Sequence, residues 1–464
     1  MVPCSSCRPL ARASENFMLH GLASPEMEDL VDQVLGATGR QNQRSCPLPA
    51  RLIVWLVVMM SLYRNASIAN VFALIVIFLR ETSPELRRRP VTPEAIYHAR
   101  RRLGALPMKR LYRKAVKRQP PVKATFKGFR IFGVDGSEFT VPDTPENVAV
   151  FGRHTSDRGS AAYPQVRGLF LLDVAGHRIT DCCFMPLRAS ESAGLPFITR
   201  SLRPGDLLLT DRGLTSFALI NGCKQRDVRF LLRFSKAWKP RFHKRLGLGD
   251  SLMIFKPCGV AKSKLPPEER EKEFLLRVLE FTVGKGQLVR LVTDLVDPAK
   301  YPALELAELY HRRWECELAY KELKSQLVAV TASKQQTHFR SKTAIGVLQE
   351  AWGMVLAHLL VRNLMLESAV AAKISPLELS MTDSLEVIKA SLRRFQAATA
   401  PRARSRIRRE LIQDLMECRI DRPRRKRQCP RVVKRKMSNF KLKRENDRSS
   451  PLDLEVTFVD RKVA

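Results

Sequence analysis

The chain is short of acids for its bases, and it lacks any uninterrupted apolar run of membrane-spanning length. Asp and Glu number 46 against 81 Lys and Arg, a formal charge of +35 over 464 residues. A protein tolerates that self-repulsion when a polyanion neutralises it, so nucleic acid is the leading partner and a membrane surface the competitor. The longest apolar stretches, LIVWLVVMMSLY and VFALIVIFL, are parted by the polar RNASIAN. Neither reaches the roughly 18–20 residues of a spanning helix, and both read as buried core helices. The opening MVPCSSCRPLARASE has no apolar segment of the secretory kind, which points to the cytoplasm. The ten cysteines include one CxxC, Cys4 and Cys7, with no second pair at a zinc-like distance. Cys182, Cys183, Cys223 and Cys316 sit in apolar segments, so reduced thiols are expected throughout.

What is present falls into regions. Residues 1–118 read as a helical N-terminal domain. Within it Thr92-Pro93 is an N-cap followed by proline at N1, and EAIYHARRRLG continues as a basic helix stopped by glycine. Such a helix serves equally as a helix-turn-helix reader of DNA or as the surface helix of a bundle. From about Phe129 the pattern turns to strands. FRIFGVDGSEFTV is strand-like, GLFLLDVAGHRITDCCFMPL is a hairpin turning at Ala-Gly, and DLLLTDRG is a short buried strand. A helix, LTSFALINGCKQRD, and a strand, VRFLLRFS, follow. The expected fold class is therefore mixed α/β, a sheet covered by helices. Residues 235–300 read as a β-rich insertion. Helix resumes near Pro302, includes the long apolar TAIGVLQEAWGMVLAHLLVRNLMLESAV, and continues over about Thr382 to Ala397. Residues 401–464 form a strongly basic tail suited to the DNA backbone.

Three acids stand out for chemistry. Asp135 ends an apolar run and Asp211 closes LLLTD, and an acid at the end of a buried strand must be paired, hydrogen-bonded or bound to metal. Asp206 is accounted for by turn chemistry. Two such acids on neighbouring strands make a plausible divalent-cation site, sharing Mg²⁺ with phosphate. The third candidate lies in YHRRWECELAYKELKSQL, read as one helix. At about 100° per residue, Tyr310, Arg313, Glu317 and Lys324 share one face, beside an apolar stripe of Leu309, Cys316, Tyr320, Leu323 and Leu327. Glu315 and Glu322 fall well round from Glu317 and read as solvent-side salt-bridge partners. Periodicity alone leaves a solvated charged helix as an equal reading.

The spacing Tyr310, Arg313, Glu317, Lys324 reproduces the Y-R-E-K pattern of bacterial DDE transposases of the insertion-sequence-four type. DGSEFTVPDTPENVAVFG and TDRGLTS resemble that family's segments around its two catalytic aspartates, and YPQVRGLFLLD and CPRVVKRK resemble further stretches. The resemblance covers nearly the whole chain. It implies a ribonuclease-H-like catalytic core over residues 119–340, with a β-rich insertion at 235–300 and a helical region at 341–400. It implies Asp135, Asp211 and Glu317 as a triad holding two Mg²⁺ or Mn²⁺ ions, with Tyr310, Arg313 and Lys324 gripping the flanking phosphates. It also implies cleavage at terminal inverted repeats, joining of 3′ ends to target DNA, and a dimer in the synaptic complex. Hairpin-forming relatives carry a stacking tryptophan in the insertion. Val289 stands near that place and Trp238 is a candidate substitute from an adjacent part of the insertion, so the resemblance leaves the route of second-strand cleavage open. A repurposed, non-cutting DNA-binding protein is the alternative reading.

Overall fold

The computed structural model describes residues 7–15, 17–86, 91–156, 159–235, 237–257, 259–263, 265–283, 287–327, 329–330, 337–420 and 456–459. Cys4 of the CxxC and the basic segment 421–455 lie outside them. The chain divides into two compact units, each discontinuous in sequence. Unit 1 comprises 1–123, 134–201 and 314–419, and unit 2 comprises 124–133, 202–313 and 420–464.

After a short helix, Cys7–Ser14, unit 1 has helices α1 (Pro25–Ala37), α2 (Ala50–Leu62) and α3 (Ile68–Leu79), then α4 (Pro93–Leu103) and α5 (Leu106–Lys117). Helix α2 is apolar all round because it is buried all round: Leu52 through Met60 have almost no exposed surface. The Ser67 hydroxyl accepts from Asn70 N to start α3, and the Thr92 hydroxyl accepts from Ala95 N to start α4. Gly104, at φ +70, closes α4 in a backbone conformation costly for any other residue. The basic face of α4 is divided: Arg101 and Arg102 are exposed, whereas Arg100 is buried. Arg100 donates to Gln349 Oε1, Ser341 Oγ and the Gly346 carbonyl at 2.9–3.2 Å. One arginine of this basic helix is thus a core anchor.

Strand β1 (Arg130–Thr140) supplies four residues to unit 2 and the remainder to unit 1. In unit 1 it adjoins β2 (Gln165–Asp173), which pairs antiparallel with β3 (Ile179–Pro186). The expected hairpin is present, but its left-handed residue is His177, at φ +55, rather than Gly176. In unit 2, β4 (Asp206–Thr210) runs parallel to β5 (Arg229–Arg233). Strands β6 (Arg241–Gly247), β7 (Asp250–Phe255), β8 (Phe274–Val283) and β9 (Gln287–Thr293) follow, and β10 (Val456–Phe458) pairs with β8. Because β9 pairs with β5, the strands of the 235–300 segment extend unit 2's sheet in the order β4-β5-β9-β8-β7-β6. Unit 1 thus holds the antiparallel β2–β3 pair and unit 2 the parallel β4–β5 pair, both parts of a mixed α/β fold.

Helix α6 (Ala303–His311) ends unit 2's helical part, and unit 1 resumes with α7 (Trp314–Glu322) and a π-helical turn over Leu323–Leu327. The single helix read from YHRRWECELAYKELKSQL is therefore broken. Arg312 and Arg313 form a turn between α6 and α7, so angles counted across them do not transfer. Helices α8 (Ala344–Ala371), α9 (Met381–Ala397) and α10 (Pro401–Glu417) complete unit 1. Helix α8 is long and apolar enough to cross a membrane, but 89% of its most apolar window is buried inside the protein. It crosses α2 at Gly353, where a Cβ would stand 2.5 Å from Val57 Cγ1 and 2.9 Å from the Val57 carbonyl oxygen. Only glycine allows that approach. The first part of the basic 401–464 segment is not a solvated tail, because α10 buries Ile407, Leu411 and Leu415.

Candidate active-site residues

The apolar run Ile131–Val134 of β1 is buried, and Asp135, in unit 1, follows it half-buried. Its Oδ1 accepts from Gly136 N at 2.8 Å. Glu317 sits half-buried on α7, one turn before Tyr320. The Tyr320 hydroxyl donates to the Asp135 carbonyl at 3.0 Å, so the helix bearing Glu317 is tied to the strand at Asp135 itself. The π-helical turn then carries Lys324, half-buried, with Nζ 5.5 Å from the Phe139 ring centroid. Burial lowers the Lys324 pKa, while Glu138 and Asp135 oppose the shift. Glu138 accepts from Arg167 at 2.7 Å and meets His154 Nε2 at 2.9 Å.

A further acid, absent from the sequence reading, stands here. Glu191 begins the helix Glu191–Thr199, and its Oε1 would be 2.3 Å from a Cβ on Gly136. Its only sequence signal was the position after Ser190 at a helix start.

Unit 2 holds the other candidates. Leu207 to Thr210 are fully buried in β4, and Asp211 emerges at its end. Asp211 Oδ1 accepts from Gly213 N at 3.0 Å and Leu214 N at 3.1 Å, a turn that fixes the carboxylate. The Tyr310 hydroxyl donates to the Thr210 carbonyl at 3.2 Å, one residue before Asp211. Burial, with help from Asp211, pushes the Tyr310 pKa up to about 12, against Arg313 and Arg233, so the hydroxyl remains a donor. Arg313 lies in the turn after α6, its backbone N–H on the Tyr310 carbonyl at 3.0 Å. Val289 is buried, and Trp238 packs half-buried against Phe234 and Phe255. Asp206, besides its turn bond to Arg203 N, is paired with Arg130 at 2.6 Å.

The reading of Glu315 and Glu322 as solvent-side partners is overturned. They are 5% and 8% exposed and converge on the fully buried His177. His177 Nε2 stands 3.0 Å from Glu315 Oε2, and Nδ1 stands 3.0 Å from Glu322 Oε1. Arg362 of α8 pairs with Glu322, its Nε 3.1 Å from Oε2. Burial alone would raise the Glu322 pKa, but Arg362 and His177 outweigh it and hold the carboxyl well below its ordinary range. A face far from an apolar stripe is solvated only if nothing charged and distant in sequence covers it. Here His177 and Arg362 do. Trp314, at the start of α7, is 50% exposed.

Among the described residues no group of three or more His, Cys, Asp or Glu side chains is gathered as a metal centre. Asp135 and Glu317 belong to unit 1 and Asp211 to unit 2. Their chemistry fits a hard divalent cation, since all three offer carboxylate oxygens at or near the surface.

Residues 18–113 match the family model described as insertion element 4 transposase N-terminal, and residues 127–360 match transposase DDE domain. The chain is 30% identical over 414 residues to the transposase InsG for insertion sequence element IS4 of Escherichia coli (strain K12), covering 88% of this chain and 90% of that protein. It is 24% identical over 258 residues to the putative transposase InsZ of the same organism, covering 52% and 83%. Among solved structures, the piggyBac transposase synaptic complex with hairpin DNA aligns over 86% of the chain at a TM-score of 0.45 and 9% identity. That likeness is too distant to carry an argument.

Proposed function

The chain belongs to the insertion element 4 family of DDE transposases, and from that premise we propose that Asp135, Asp211 and Glu317 are its catalytic triad. As an insertion-sequence DDE transposase it cleaves DNA and transfers strands, and that chemistry depends on a divalent metal. Our reading adds that the metal is Mg²⁺ or Mn²⁺, as two ions held by the three carboxylates. When bound, such ions activate the attacking water or 3′-hydroxyl and stabilise the leaving oxygen of an in-line displacement. The chain's own residues do the positioning. Asp135 and Glu317 are linked through Tyr320, and Asp211 is held by its turn amides and by Tyr310 at the preceding carbonyl. Arg313 and Lys324 supply cations for the phosphates flanking the cut.

Residues 1–118 are proposed to bind the terminal inverted repeats, 119–340 to form the catalytic core, and 341–400 with 401–464 to support it and contact the DNA backbone. A homodimer acting on DNA in the cytoplasm, at the nucleoid, completes the reading. The observation that carries it is the Tyr320–Asp135 hydrogen bond, which supports Glu317 and Asp135 as partners independently of the sequence spacing. Nothing favours the non-cutting alternative, since all three acids and the Y-R-E-K residues are present.

The test is Mg²⁺-dependent nicking of DNA carrying the element's own terminal repeats. Asp135→Ala, Asp211→Ala and Glu317→Ala should each abolish nicking and leave end binding within about threefold, the loss being in transition-state stabilisation alone. Full nicking by any one of them would remove it from the triad.

A further inference from the structure

Helix α7 carries three glutamates, and the two left without a catalytic assignment are the more buried. Glu315 and Glu322 are seven positions apart, two helical turns, so they project from nearly the same side of α7 about 10 Å apart along its axis. Both bend onto one imidazole. His177 reaches them from the β2–β3 turn, where its φ of +55 is uncommon for a residue with a side chain. Its backbone N–H is bonded to the Asp173 carbonyl at 2.9 Å, so the ring is delivered from a closed turn. Arg362, 1% exposed, backs the arrangement from α8.

We propose that His177, acting through Glu315 and Glu322, is a positioning residue for strand cleavage: it clamps both ends of α7 and so sets the rotation at which that helix presents Glu317. The inference rests on the assignment of Glu317 as a catalytic acid. Glu317 lies about 200° round from Glu315 and about 140° from Glu322, so the clamp holds the helix from behind. A rotation of about 20° would swing a carboxylate some 6 Å from the helix axis by roughly 2 Å. Displacements of about 1 Å cost on the order of 100-fold in rate. Apolar side chains of equal volume would bury as well or better, but they permit sliding, whereas a ring bonded at both nitrogens fixes direction.

The test compares His177→Ala, His177→Gln and Glu315→Asp with the unaltered protein. Nicking is followed as a function of Mn²⁺ concentration on terminal-repeat DNA. End binding, thermal unfolding and Mn²⁺ binding by electron paramagnetic resonance are measured in parallel. His177→Ala should lose about 100-fold in nicking at low Mn²⁺ and require about tenfold more Mn²⁺ for half-maximal rate, with end binding within threefold. His177→Gln, which keeps one donor, should recover part of the loss. If His177→Ala does not fold, Glu315→Asp carries the test, because it shortens one arm by a methylene and retains the charge. Its Mn²⁺ requirement should rise in the same direction. Variants that fold yet keep the wild-type Mn²⁺ requirement and rate would overturn the clamp, as would nicking that falls only in proportion to the folded fraction. Failure of the underlying assignment would look different: Glu317→Ala would then nick normally, whatever the His177 variants do.

Discussion

Both units bury ionic groups, but they do so for different purposes. In unit 2, Arg277 of β8 makes a two-pronged bond to Asp250 of β7 at 2.8 and 2.6 Å, and adds the Leu295 and Tyr301 carbonyls. Arg290 of β9 meets Glu280 directly opposite it on β8 at 2.6 Å. Each is one cation and one anion on adjacent strands. In unit 1 the cluster of His177, Glu315, Glu322 and Arg362 joins a turn, a short helix and a long helix drawn from distant parts of the sequence. The pairs in unit 2 pin a strand register that the hairpins already favour. The cluster in unit 1 fixes one element against two others, and nothing local would restore it. Local pairs can be exchanged for apolar packing with nothing else lost; a distributed cluster exchanged in that way loses the direction it imposes on the helix it holds.

The largest effect that would break this contrast comes from unit 2. Arg277→Met strands a buried Asp250 and should destabilise by about 3–5 kcal/mol in urea unfolding. Arg277→Met with Asp250→Leu should recover most of that loss, with about 1–3 kcal/mol remaining for the Leu295 and Tyr301 carbonyls that Arg277 no longer reaches. Next, Arg362→Met with Glu322→Leu should restore stability in the same way yet leave nicking at least about tenfold down, since Glu315 is then the only arm. Recovery of both stability and nicking would erase the distinction. A smaller effect concerns acid. Glu322 has a folded-state pKa held well below its ordinary value. It therefore contributes stability above about pH 4.5, lost as pH falls through the depressed value. The melting temperature of the wild type should fall more steeply between pH 5 and 3 than that of Glu322→Gln. Smallest of all, Lys389→Ala, which removes an exposed pair with Glu386 at 2.8 Å, should change stability by less than about 0.5 kcal/mol.

These pairs also show where the sequence is readable. The apolar run of α2, the Thr92 cap, the buried strand ending at Asp211 and the β2–β3 hairpin follow from period, cap and turn rules acting over a few residues. Glu317 is singled out by helical angle, and its Y-R-E-K neighbours by a resemblance, and both stay proposals. The break at Arg312 and Arg313 is not legible, because two arginines are good helix formers and nothing local stops the helix there. The burial of Glu315 and Glu322 was invisible for another reason. Their partners, His177 and Arg362, lie far off in sequence, and a charged face covered by opposite charge has the same periodicity as one facing water. Likewise the basic helix α4 gave no sign that Arg100 alone turns inward to Gln349 and Ser341.

The crossing of α2 and α8 at Gly353 has a consequence for how the protein is made. Val57 and its neighbours leave the ribosome roughly 300 residues ahead of the helix that covers them, an interval of about 15–60 s at ordinary rates of synthesis. During that time one of the most apolar segments of the chain has only its N-terminal helix neighbours to pack against, and the face that α8 covers stays open. Newly made transposase is thus exposed to chaperones, proteases and self-association until α8 is complete, and any message cut short before that point yields a sticky fragment. The same glycine that lets two helices touch in the finished enzyme makes the amount of that enzyme depend on finishing the chain.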